Sequence, residues 1–292
     1  MWPLRGRILR RTHAARVATF YGTLCAGVED PERFQTVREW PAAVEIVNAT
    51  GTSPVVLLCP HASNYIAPRY ANLGLPPSEW DRHIAWDIGA AAVTRKLAAI
   101  LDAAAFLGTY SRLLIDLNRP LDSESSIVGR SEATDIPGNV SITMEERALR
   151  AARVFIPHHE AIAAHLAARR AGQRPSVIVA IHSFTPTYHG VARTWHAGVL
   201  FVKSVAFAHA SMERLRASDA SLNVGANVPY TVTPDTDYGV LVYGDDIGTP
   251  ALEFEIRQDL IAHADGQEAW AHRIAQTLAV DVALSSGNDE VR

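Results

Sequence analysis

Two histidines stand where short apolar runs end: His61 after VVLLCP and His182 at the close of SVIVAIH. Neutral imidazole is a common zinc ligand, and a catalytic zinc site uses about three protein ligands with one position left for water. It also needs a carboxylate to take a proton from that water. The third ligand has two candidates. Asn64 lies three residues after His61, but a neutral amide is a poor zinc ligand. Asp87, at the end of HIAWD, brings a negative charge that helps neutralise the metal, although an Asp there also suits a helix N-cap. For the base, Glu253 and Glu255 lie two apart in PALEFEI, so on a strand they share a face. Glu255 is preferred, and an ion pair with Arg257 is its structural alternative.

The segment SRLLIDLNRP supplies Arg112, Asp116, Asn118 and Arg119 within a few residues. Arginine captures carboxylates bidentately, so an Arg pair beside a metal suggests a substrate with one or two carboxylates. One of the two, Arg112, could also stabilise an oxyanion. The alternative for Arg119 is a simple pairing with Asp116. Ser183, next to His182, joins the candidate substrate contacts. In His158-His159-Glu160, helical neighbours point about 100° apart, so two adjacent histidines do not share one ion. One of them, His159, is expected to face the site and the other to be solvated. His13, His165, His209, His263 and His272 read as surface, while His189 and His196 flank the turn TYHGVARTWH.

These residues need a scaffold, and the hydrophobic pattern predicts one. Short apolar runs (Val55–Cys59, His83–Asp87, Ser111–Leu117, Ser176–His182, Gly198–Val202, Pro250–Ile256) read as strands. They alternate with helix-like runs: 88–105, 144–172 with a kink at Pro157, 204–217, and a closing helix from Glu268. Such alternation predicts an α/β fold with a mostly parallel central sheet and helices on both faces. In that architecture ligands gather at the carboxyl ends of the strands, where the candidate residues fall. The 292 residues read as a single domain, with residues 1–40 as a basic N-terminal helical extension. Residues 120–142, rich in Ser, Gly and Pro, form a long loop that could serve as a lid. A net charge of −4 gives no reason to expect a nucleic-acid or membrane partner. Two distant cysteines suit a reducing cytoplasm.

Taken in order, PHASNYIAP, HIAWDIGA, YSRLLIDLNRP, IHSFTPTYHG and EFEIRQDLI resemble the N-formylglutamate amidohydrolase family, from about Val55 to Leu260. The resemblance implies an α/β fold similar to the zinc carboxypeptidases and zinc-dependent cell-wall amidases. It implies a His, acidic, His set for zinc or another divalent metal, falling here on His61, Asp87 and His182, and a late catalytic Glu at Glu255. It further implies that Arg112, Asn118 and Arg119 bind substrate carboxylates. The expected activity is hydrolysis of the amide of an N-acyl amino acid such as N-formylglutamate. A carboxypeptidase or a longer-chain N-acyl amino acid deacylase is the alternative within the enzymes. A non-catalytic carboxylate-binding protein on the same fold is the alternative outside them.

Overall fold

VVLLC is buried at all its positions, as a strand covered on both faces must be. A computed structural model describes residues 40–285 of the chain, so all of the N-terminal extension but Trp40 lies outside the described residues, as does His13. The strands are β1 (Val44–Val47), β2 (Val55–Cys59), β3 (Ala104–Gly108), β4 (Val177–Phe184), β5 (Ala197–Leu200), β6 (Val224–Ala226) and β7 (Ala251–Arg257). They form one sheet in the order β1-β3-β2-β4-β7-β5-β6. The strands β3, β2, β4 and β7 run parallel to their neighbours in that run; β1 joins β3 and β5 joins β7 in antiparallel fashion. The fold is therefore a mostly parallel α/β sheet, as the alternating pattern predicts.

Helices α1 (Ala90–Leu101), α4 (Val205–Ser218) and α6 (Ala264–Ser285) cover one face. There Leu57, Val179 and Phe254 of the sheet join Leu97, Met212 and Ile274 in one core. Each such side chain stabilises the fold by roughly 1.5–3 kcal/mol, which fixes which face of each strand turns inward. On the opposite face lie α3 (Ile156–Ala171) and the short α5 (Gly239–Tyr243), around Leu58 and Ala180. This second face carries the functional residues, because the register sets Glu255 opposite His182 and Glu253 opposite Ala180.

Three expected elements come out differently. His83–Asp87 and Ser111–Leu117 are not strands but buried turns, with Ile84, Ala85, Leu113 and Leu114 packed inward. Their backbone groups bond to each other: the Arg112 N–H and the Ser111 hydroxyl both donate to the Ala85 carbonyl. The strand between them is Ala104–Gly108, whose alanines had looked helical. A short apolar run shows burial but not backbone geometry. The third difference is at Pro157. Before it, α2 (Met144–Arg150) continues into a π-helical turn, Ala151–Phe155, and then into α3. The proline ring removes one N–H from the ladder, and the widened turn is where the helix absorbs it.

Candidate active site

The turn after β2 carries His61, and His182 lies near the end of β4. Both are almost wholly buried. Between them, Asp87 sits on the turn that precedes α1, and its N–H donates to the His61 carbonyl (2.9 Å). Gly89 allows this approach: its φ is +82°, and a Cβ there would collide with the Ile261 carbonyl oxygen. As a result the Nδ1 atoms of both rings face the same Asp87 oxygen, Oδ2, at 3.3 Å from His61 and 2.7 Å from His182.

The outer nitrogens of both rings also meet carboxylates. His61 Nε2 lies 2.7 Å from Asp116 Oδ1, and His182 Nε2 lies 3.6 Å from Glu253 Oε2. Two imidazoles, inner nitrogens toward a shared carboxylate and outer nitrogens toward carboxylates of their own, form a donor set suited to a divalent cation. The ligand atoms of His61, Asp87 and His182 lie within 4.8 Å of one another, as do those of His182, Glu253 and Glu255. His182 Nε2, Glu253 Oε2 and Glu255 Oε2 are buried without a hydrogen-bond partner. Negative charge packed this closely, with unsatisfied atoms aimed inward, fits a cation in their midst.

The protonation equilibria report the same crowding. Burial is the largest influence on each group. For Asp87 it opposes ionisation, yet the neighbouring His61 and His182 hold the carboxyl well below the usual range. Burial and Arg112 both disfavour the His61 cation, but Asp116 and Asp87 outweigh them and raise its pKa. Burial pushes Glu253 up to about 8. It also lifts Glu255 well above the ordinary carboxylate range, with the Asp87 charge adding to the effect.

A cavity of about 360 Å³ opens over these groups. It holds His61, Asp87, His182, Glu253 and Glu255, and also Arg112, Asn118, Arg119 and Ser183. Of the residues singled out from the sequence, His159 is not among the lining. Both His158 and His159 are buried, and His159 is engaged by the Tyr243 hydroxyl (2.8 Å) and the Leu117 carbonyl (3.0 Å). Neither histidine is solvated and neither lines the cavity, a correction with a packing cause: α3 turns both inward, toward Leu117, Asn118 and Tyr243. Asn64 is also outside, its amide donating to the Trp80 carbonyl.

Several lining residues are already engaged. Arg112 binds Asp116 Oδ2 through Nη2 (2.9 Å) and Nε (3.2 Å) and reaches Asp87 Oδ1 at 3.4 Å. Asp116 is held chiefly by Arg112, and the pairing foreseen for Arg119 is present at longer range, with Nε 4.0 Å from Asp116 Oδ2. Asn118 Oδ1 accepts from the N–H groups of Tyr238 and Gly239 at the start of α5. The Ser183 hydroxyl donates to the Ile88 carbonyl. Arg257 pairs with Asp259 (2.8 Å), which leaves Glu255 toward the cavity.

Two supporting residues carried no clear sequence signal. Asp116 was visible as a polar strand-end group and an arginine partner, not as the support of His61. Arg150 is fully buried and donates to the Leu114 carbonyl (3.1 Å) and to Asn139 Oδ1 (2.6 Å), anchoring the loop that presents Arg112 and Asp116. The segment 120–142 is an ordered wall, with a hairpin of Arg130–Ser131 and Thr134–Asp135. Arg82 grips its Glu132 at 2.6 Å, and Ser125, Val128 and Ser131 face the cavity.

The N-formylglutamate amidohydrolase family matches residues 53–262, a span that contains every lining residue described above. The chain belongs to that family. It is accordingly an amidohydrolase, and the resemblance of the five ordered motifs is confirmed over most of its length. No curated protein matches the chain. Among solved structures it is similar to a gene product of Agrobacterium tumefaciens, with 37% identity and a TM-score of 0.81, over 87% of this chain and 99% of that one. It is also similar to an N-formylglutamate amidohydrolase from Ralstonia eutropha, with 16% identity and a TM-score of 0.58, over 83% of this chain and 98% of that one. At that identity the second likeness speaks for the fold of the amidohydrolase family alone. No described helix is long and apolar enough to cross a membrane.

Proposed function

We propose that the chain is a divalent-metal-dependent hydrolase of the linear amide in N-acyl amino acids, N-formylglutamate among them. The observation that carries this reading is the convergence of His61 Nδ1 and His182 Nδ1 on one Asp87 oxygen, with Glu255 unpartnered in the same cavity. His61, Asp87 and His182 are the residues that would hold zinc or a similar ion. Such an ion, when bound, supplies Lewis-acid polarisation of the scissile carbonyl and acidifies water.

The chain's own groups do the rest. Asp116 fixes the ring of His61 through its 2.7 Å bond, and Glu253 stands in the corresponding place beside His182. Glu255 takes a proton from the attacking water and returns it to the departing amine nitrogen. The acyl carbon gains the water oxygen and the C–N bond breaks, giving a carboxylate and a free amino acid. Burial of Glu255 favours this exchange by raising its proton affinity above that of an ordinary carboxylate. Arg112 acts as a positioning residue because Asp116 and Asp87 occupy its guanidinium. Arg119, at the cavity wall, meets the amino-acid carboxylate alongside its bonds to the Asn118 and Thr236 carbonyls. Asn118 holds α5 in place behind it, and Ser183 steadies the backbone beside Asp87. Residues 120–142 close one side of the pocket, the part assigned to a lid.

The test combines metal analysis with a panel of N-formyl, N-acetyl and N-succinyl amino acids assayed with zinc. One ion per chain and turnover of at least one amide are expected. Purified protein with neither, after zinc reconstitution, would leave a carboxylate-binding protein on this fold.

A further inference from the structure

Arg193 follows a small hairpin, Thr187–Tyr188 with Val191–Ala192, whose base closes through the Arg193 N–H and the Pro186 carbonyl. Its guanidinium carbon lies 4.6 Å from the centre of the Tyr188 ring, 4.9 Å from that of Tyr230 and 5.7 Å from that of Phe184. Its Nη1 donates to the Tyr230 hydroxyl at 2.9 Å. All three rings line the cavity that holds His61, His182 and Glu255. Arg193 is thus set at the rim of that cavity, close enough for its charge to be felt at Glu255.

The nearby arginines differ from it. Arg112 is committed to Asp116 and Asp87, Arg82 to Glu79 and Glu132, and Arg119 donates to the carbonyls of Asn118 and Thr236. Among the described residues, Arg193 has no ion-pair partner. Stacking on aromatic faces holds a guanidinium flat and leaves its edge donors available, which suits bidentate capture of a carboxylate. The cavity, at about 360 Å³, has room for more than a formyl group and one amino acid.

We propose that Arg193, braced by Tyr188 and Tyr230, is a specificity subsite that binds a substrate carboxylate remote from the scissile amide. This rests on the amide-hydrolase reading of the same cavity. The remote carboxylate has two sources, the amino-acid side chain or the acyl arm. The experiment separates them by pairing N-formylglutamate with N-formylglutamine, and N-succinylalanine with N-butyrylalanine. At least one pair should show a tenfold or greater preference for the acid in the unaltered enzyme. In Arg193→Ala that preference should fall below twofold, chiefly through the KM of the acid, with metal content unchanged. Arg193→Lys, which keeps charge but not the flat fork, should recover it only in part.

Survival of the acid preference in Arg193→Ala, or its absence from both pairs in the unaltered enzyme, overturns the subsite. If no amide is hydrolysed at all, titration calorimetry with glutarate still decides the matter. Binding weakened tenfold or more in Arg193→Ala upholds the subsite while the hydrolase reading falls. Equal binding, or none, overturns the subsite as well.

Discussion

Replacing Asp116 by asparagine changes almost no volume, yet it strikes the support of His61 directly. Asp116 Oδ1 accepts from His61 Nε2 (2.7 Å) and from the Asn118 N–H (2.8 Å). Oδ2 accepts twice from Arg112, at 2.9 and 3.2 Å. In Asp116→Asn the carbonyl oxygen can still serve His61, so a neutral bond replaces a charge-assisted one. Charged bonds are worth about 1.5–3 kcal/mol net and neutral ones about 1, so the loss at His61 is ~0.5–2 kcal/mol, about 1.4 at its centre. That corresponds to roughly a tenfold weaker metal site, the lower part of the range seen when partners of ligand histidines are removed. The amide NH2 must then face the donors of Arg112, which costs stability. Arg112's side chain is 24% exposed, so solvent limits that cost to ~1–2 kcal/mol. The assay is competition for zinc against a chromophoric chelator near neutral pH, with circular dichroism to confirm folding and kcat/KM measured at saturating zinc. A folded Asp116→Asn protein that binds zinc within twofold of the unaltered chain would refute the reasoning. It would mean that His61 is not a ligand or that its ring is held by something else.

Glu255→Gln should keep stoichiometric metal and lose kcat by about 10²–10⁴, the range for a general base; an unchanged rate in steady-state assays would shift the base to Glu253. Gly108→Ala should lower the melting temperature and weaken zinc binding together, because its Cβ would strike the Pro60 carbonyl oxygen, one residue before His61; intact zinc affinity at full stability would argue against this coupling. Acid titration of the metal-free protein in chelator should show stability falling from about pH 6.5 toward pH 4. The sign follows from His158, whose pKa burial lowers to about 4. The unfolded chain gains a proton in this window that the folded one refuses, at up to about 1.4 kcal/mol per pH unit. Denaturant midpoints should lose part of that slope in His158→Phe, and an unchanged slope would discount the residue.

The sequence by itself determined the fold class and the place of the reactive edge. The apolar runs Val55–Cys59, Ser176–His182 and Pro250–Ile256 form strands of one sheet; His182, Glu253 and Glu255 lie on it and His61 in the turn just after the first. That much follows from local burial and from the period of two along a strand, which obliges Glu253 and Glu255 to share a face. Tertiary structure alone decided which side chains meet. Asp87 and Asp116 stand on buried turns that looked like strands, and only the three-dimensional path brings them to opposite nitrogens of the same imidazole, 26 and 55 residues away. His159 shows the converse. It had the right chemistry, but helix packing directs it to Tyr243 and the Leu117 carbonyl. Arg193 was silent in the sequence because its setting joins the rings of its own hairpin region, Phe184 and Tyr188, to Tyr230 from a segment 37 residues away. Periodicity records which face a residue takes, whereas contact between distant segments depends on register and loop closure, quantities that no local pattern encodes.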